Sequence, residues 1–164
     1  MPDIMIKTAA VADAPLLEAL AKEIWTQHYA DIITMNQISY MLENFQSAEA
    51  IVQDMQIGAV YDIAYTDGEP CGYSAAVPDG AGLFLSKLYV RQSCRGLGIA
   101  RAMVSRIEER ARQSGAQRVW LKCNKYNTDS LAAYERLGFS VAYACVTDIG
   151  NGYVMDDYAL KKVL

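Results

Sequence analysis

The stretch Leu88-Tyr89-Val90-Arg91-Gln92-Ser93-Cys94-Arg95-Gly96-Leu97-Gly98-Ile99-Ala100 decides how this chain is read. Its first residues close an apolar segment from about Leu83 to Val90, which predicts a strand. Its last residues open a run in which Ile99, Met103, Val104, Ile107 and Ala111 share one helical face, stopped near Gly115. Gly96 and Gly98 therefore sit on a strand-to-helix turn, where backbone N–H groups and a helix N-terminus can hold a phosphate. A Gly-x-Gly pair alone reads more readily as a plain tight turn. It is also neither of the usual nucleotide loops, lacking the Lys-Ser/Thr of the P-loop and the third glycine of the dinucleotide fingerprint.

Charge supports the anion-binding reading. Between Arg91 and Lys125 stand nine basic residues against Glu108 and Glu109, a balance of +7, while the rest of the chain carries six basic and 17 acidic residues, a balance of −11. One segment can meet an anion while the remainder favours a cation. Arg106, Arg110 and Arg112, close to Glu108 and Glu109, read more simply as a solvated helix face. Nucleic acid is a poor fit, because few aromatics interleave with the basic segment and the whole chain is acidic.

Working outward, the first third is expected to be mainly helical. A short strand at Ile4 to Ala9 precedes a helix capped by Asp13 with Pro15 in its first turn and Leu16, Leu17, Leu20 and Ile24 on its apolar face. Thr34-Met35-Asn36-Gln37 has capping-box spacing for a second helix toward Phe45, and Ser47 caps a third through Met55. Val60 to Tyr65 and Cys71 to Val77 read as a hairpin around Asp67-Gly68-Glu69-Pro70. Beyond the central helix, Val119 to Cys123 is a strand and Thr128 to Leu137 a short helix ended by Gly138. Two last strands, Phe139 to Val146 and Tyr153 to Lys161, flank a turn at Asp148 to Gly152.

The 164 residues fit one ordinary domain, 1–164, and 52% hydrophobic with 21% charged residues excludes disorder and fibrous repeats. No apolar run approaches the roughly 18 residues of a membrane helix, and Met1-Pro2-Asp3-Ile4 lacks the basic-then-apolar pattern of a leader, so a cytoplasmic protein is expected. Cys71, Cys94, Cys123 and Cys145 form no Cys-x-x-Cys pair and His28 is the one histidine, which disfavours zinc, a Cys/His nucleophile and a disulfide framework.

The segment Leu121-Lys122-Cys123-Asn124-Lys125-Tyr126-Asn127-Thr128, running on through Tyr134 to Gly138-Phe139, completes the pattern. With Leu88-Tyr89-Val90 and the Arg95 loop it resembles the GCN5-related N-acetyltransferases. Their motif is Arg/Gln-x-x-Gly-x-Gly/Ala, followed by Asn and Tyr before Gly-Phe; Ala100 takes the last loop position in its alanine form. The resemblance implies an α/β (α+β) fold, a mostly antiparallel mixed sheet of about seven strands flanked by helices and splayed between strands 4 and 5, where unpaired backbone needs a partner. It implies acetyl-CoA as cofactor, with Leu88, Tyr89 and Val90 along the pantetheine arm. Arg95, Gly96, Leu97, Gly98, Ile99, Ala100 and Arg101 would surround the pyrophosphate, and Asn127 would contact the arm or cap the next helix.

By the same resemblance, Tyr134 is the acid that protonates the departing thiolate, a role open to a phenol that is protonated at neutral pH. The base is not written in the sequence: Leu83-Phe84-Leu85-Ser86-Lys87-Leu88 offers no carboxylate, leaving water, His28, Tyr29, Asp31, Asp156 or Asp157. Trp25 and Tyr29, with Tyr40, are loosely similar to the amino-terminal part of polyamine acetyltransferases, and read equally as core aromatics. Asp156 and Asp157 interrupt an apolar strand, and at most one of them can face a cleft. The expected partner is a small-molecule amine acceptor, polyamine-like or diamine-like, with no metal, nucleic acid or membrane; a homodimer is left open. A protein N-terminus, a lysine, an aminoglycoside-like amine, or a silent acyl-CoA sensor are the alternatives.

Overall fold

The computed structural model describes residues 3–164; Met1 and Pro2, two of the four residues that bear on a leader, lie outside the described residues. The elements in order are β1 (Ile4–Thr8), α1 (Ala14–His28), α2 (Met35–Phe45), α3 (Ala48–Gln56), β2 (Val60–Thr66), β3 (Glu69–Asp79), β4 (Gly82–Val90), α4 (Ile99–Gln113), β5 (Arg118–Asn124), α5 (Thr128–Arg136), β6 (Ser140–Gly150) and β7 (Tyr153–Val163). The seven strands form one sheet in the order β1-β2-β3-β4-β5-β7-β6. All neighbours run antiparallel except β4 and β5. Among the described residues no helix is long and apolar enough to cross a membrane.

Local chemistry sets most boundaries. Thr34 accepts from the Gln37 N–H and Ser47 from the Ala50 N–H, each at 3.2 Å, as their spacing predicts. Asp13 departs from expectation. A 3-10 turn at Val11–Asp13 runs straight into α1, so Asp13 has helical rather than extended backbone and its carboxylate turns back to accept from Ala10 N–H at 2.8 Å. The helix α1 therefore has no side-chain cap.

Each sheet face has its own core. Helices α1 to α3 cover one face through Leu17, Ile24, Trp25, Ile38 and Ile51 against Tyr61, Ile63, Tyr73 and Ala75. On the other face α4 lays Ile99, Met103, Val104, Ile107 and Ala111, the five residues its periodicity singled out, against β2 to β5. Glu108 is buried with them and pairs at 2.7 Å with Lys162 of β7.

Candidate active site

The site begins with a defect in β4. β4 pairs with β5 only where Gly82–Phe84 face Arg118–Trp120. Just beyond, the β3–β4 register shifts: Ala76 pairs with Leu85 and Ala75 with Lys87, leaving Ser86 as an additional residue. Such a bulge bends a strand and reverses the facing of the residues beyond it. Leu83 and Leu85 point into the core under α4, whereas Lys87 points to the opposite side and reaches the carbonyl of Phe45 and the phenol of Tyr61. The bent end of β4 and the end of β5 diverge. Between them, α5 and the end of α1 lies a cavity of about 610 Å³, within the usual range for a small-molecule site.

One end of the cavity gathers unengaged backbone donors. Gly96 and Gly98 have φ of +80° and +83°, left-handed backbone that a side chain resists. Gly98 is the N-cap of α4, and no side chain caps that helix. Among the described residues, the backbone N–H groups of Gly96 to Arg101 donate to no protein acceptor, so a helix N-terminus and its loop offer a free donor set. Arg95 and Arg101 line the same end. This donor set fits the diphosphate of acetyl-CoA, and the unpaired β5-side edge of Leu88, Tyr89 and Val90 fits an arm carrying amides.

The rest of the basic segment is engaged elsewhere. Arg110 grips both oxygens of buried Asp62 in β2, at 3.0 and 2.9 Å, and Arg106 reaches the same carboxylate at 3.5 Å. Arg112 lies 3.9 Å from Glu108, and Arg91 pairs with Glu23 at 2.6 Å. The solvated helix face expected for Arg106 and Arg110 is thus a strap between α4 and β2.

Tyr134 of α5 lines the same cavity, its ring edge-on to Phe139 at 5.7 Å. Burial holds its phenol well above the usual range, and the neighbouring Cys123 adds to this. The Cys123 thiol is itself pushed up to about 12, by burial first and then by Asp157, so it is not a nucleophile at neutral pH. Asn127 caps α5 through Ser130 N–H at 3.4 Å and also reaches His28 Nε2 at 2.8 Å. The other ring nitrogen of His28, Nδ1, lies 2.9 Å from an Arg95 guanidinium nitrogen. Burial, then Arg95, pull the imidazole down to about 4 against the opposing charge of Asp129.

Of the residues expected around a cofactor, Leu88, Tyr89, Val90, Arg95, Gly96, Gly98, Ile99, Ala100, Arg101, Asn127 and Tyr134 line this one cavity. Leu97 is exposed beside it. Trp25 and Tyr29 lie behind it in the α1 core, with 1% and 6% of their surface exposed and their rings 4.4 Å apart. Asp156 pairs with Lys125 at 2.8 Å, and Asp157 is buried on β7 opposite Asn124; neither lines the cavity. Sequence reasoning missed the wall supplied by Gln27 and Arg136 and the bridging contacts of His28. One signal was present: Leu17, Leu20, Ile24 and His28 continue a single helical stripe into the cleft.

Residues 17–139 match the family described as Acetyltransferase (GNAT) family. An uncharacterised N-acetyltransferase of Mycobacterium bovis is 33% identical over 94 residues, 54% of this chain, and the match spans 60% of that relative's length. A thialysine N-epsilon-acetyltransferase of Caenorhabditis elegans is 28% identical over 124 residues, 71% of this chain and 75% of its own. Among solved structures, the PaiA N-acetyltransferase of Thermoplasma acidophilum in complex with coenzyme A has the same fold, with a TM-score of 0.84 over 99% of both chains at 18% identity.

Proposed function

We propose, for a chain that belongs to the Acetyltransferase (GNAT) family, that this protein is an acetyl-CoA-dependent N-acetyltransferase. Its acceptor is the primary amine of a small cationic molecule, polyamine-like or diamine-like, acetylated directly in a ternary complex. The observation that carries the reading is the single cavity that joins the uncapped N-terminus of α4 to Tyr134 through the split between β4 and β5.

Acetyl-CoA supplies an acetyl group activated as a thioester, whose carbon–sulfur bond is exchanged for a carbon–nitrogen bond with release of a thiol. Gly96 to Arg101 hold the anionic end through backbone donors, and Arg95 and Arg101 add charge. The free edge of Leu88 to Val90 orients the arm and leaves a backbone N–H to polarise the reacting carbonyl. Tyr134 Oη–H, kept protonated by its buried setting, gives its proton to the departing sulfur. A small amine is supported by the thialysine side-chain amine named for the nematode relative, and a cationic one by the −11 balance outside the basic segment.

Mass spectrometry of products from acetyl-CoA and mixed amines, including spermidine, small peptides and an aminoglycoside, tests the reading. Acetylated spermidine or diamine is the expected major product. Peptide or aminoglycoside products would replace the acceptor class, and CoA binding with no product from any amine would leave a silent acyl-CoA sensor.

A further inference from the structure

This inference rests on the acetyl-CoA reading above, in which Arg95 and Asn127 both meet the cofactor. In the structure one side chain holds both: His28 stands 2.9 Å from Arg95 through Nδ1 and 2.8 Å from Asn127 through Nε2. A guanidinium only donates, so Nδ1 is the acceptor of that bond and the neutral ring carries its proton on Nε2. Nε2 faces the Asn127 amide nitrogen at 2.8 Å while the amide oxygen holds the long 3.4 Å cap to Ser130; the Nε2–H gains its acceptor when that amide turns over and gives up the cap. The lone pair of the chain's one histidine is therefore occupied by an arginine. A second proton on the ring would set two cations against each other.

An anionic diphosphate is a stronger partner for a guanidinium than a neutral imidazole is. When Arg95 turns to it, Nδ1 is left with a free lone pair inside the reaction cavity. We propose that His28 is the proton acceptor for the incoming amine, held inactive by Arg95 and armed by cofactor binding. As the last residue of α1, it sits where the helix dipole favours a cation once the proton arrives. The titratable and charged groups sharing the cavity with it are Arg95, Arg101, Arg136, Asp31, Asp129, Cys94, Tyr89, Tyr126 and Tyr134; Asp31 and Asp129 are the carboxylates among them. The wall formed by β4 carries no carboxylate. In the transfer, the nitrogen gives up its proton to Nδ1 as it bonds to the acyl carbon, Tyr134 protonates the sulfur, and water returns the proton from the imidazolium to the phenolate.

The single histidine makes the test direct, because the imidazole region of a nitrogen-15 spectrum contains one ring. In the free protein that ring is expected as the Nε2–H tautomer titrating at about 4. Added CoA should move its nitrogen shifts and raise the midpoint by about one pH unit or more, as expected for losing a cationic neighbour. His28→Gln should lower kcat about a hundredfold and abolish the acidic limb of the pH profile in a protein that still binds CoA. Unchanged ring shifts and midpoint in the CoA complex overturn the proposal, as does a folded His28→Gln protein with wild-type kcat and pH profile. If the wild type binds no CoA, the acetyltransferase reading falls and this one with it. If CoA binds and amine is acetylated while the ring stays unmoved, this inference alone fails.

Discussion

Replacing Tyr134 by phenylalanine separates chemistry from packing. The ring's edge-on contact with Phe139 at 5.7 Å survives the change, and among the described residues no protein group bonds the phenol; its raised pKa has only burial and Cys123 behind it. Loss of the hydroxyl should thus leave stability within about 0.5 kcal/mol of wild type. The change removes the proposed acid for the leaving sulfur, which predicts a fall in kcat of roughly ten- to a thousandfold, or about 1.4 to 4 kcal/mol of barrier. The assay is release of free thiol at saturating acetyl-CoA and amine, beside urea denaturation and calorimetry of CoA binding. Because burial keeps the phenol protonated, the wild-type rate should also show no alkaline fall from Tyr134 below about pH 10. A variant that folds, binds CoA and turns over at the wild-type rate would place Tyr134 in the packing alone.

Three further expectations rest on the same logic. Gly98→Glu combines left-handed backbone, at about 1 to 2 kcal/mol of strain, with an anion at the proposed phosphate end; calorimetry should show CoA affinity down at least about tenfold, and unchanged affinity would remove the loop from the site. Asp62→Ala strips the buried partner from Arg110 and Arg106, which keep access to water, so urea denaturation should show a loss of about 1.5 to 3 kcal/mol, while no loss would mean the strap does not hold α4 to β2. Burial raises the Asp157 carboxyl, so the folded state resists its ionisation and the wild type loses stability as pH rises from the ordinary Asp value of 3.8 through the raised one. Asp157→Asn should then be more stable than wild type at pH 7 and equal to it in strong acid; for Asp156→Asn, which breaks a half-buried pair with Lys125, the change should stay within about 1 kcal/mol.

The helices were legible because their signals are local. Thr34 and Ser47 cap through their own third neighbours, and the five apolar residues of α4 meet the sheet on the face their spacing selects. The divergence of β4 from β5 was legible only through family resemblance. Nothing in Leu83 to Val90 marks Ser86 as the residue that drops out of register, because a bulge is fixed by the partner strand and not by its own side chain. Strict alternation would have put Lys87 on the same face as Leu85, under α4. The structure puts it on the other face, where its ammonium holds the end of α2 and the phenol of Tyr61. Asp13 failed for a related reason: its suitability as a cap was local, but the turn before it had already set its backbone.

Charge shows the same division with a consequence for the mechanism. A +7 segment is a sum over sequence, whereas a field at the cofactor end depends on which charges remain unpaired there. Arg106 and Arg110 stand one helical turn apart on α4 and both meet Asp62, which a strand nearly fifty residues earlier brings beneath them. That pairing removes two cations from the basic segment and one anion from the acidic remainder. Arg112 and Lys162 share Glu108 in the same way. Arg95 and Arg101 are what the segment from Arg91 to Lys125 still presents to the cavity, and Arg95 is held by a neutral histidine rather than by a carboxylate. A carboxylate in that place would compete with the diphosphate on equal terms of charge. On the proposed reading, an imidazole keeps the guanidinium positioned and cedes it to the diphosphate, so that the loop is ordered before the cofactor arrives without being closed to it.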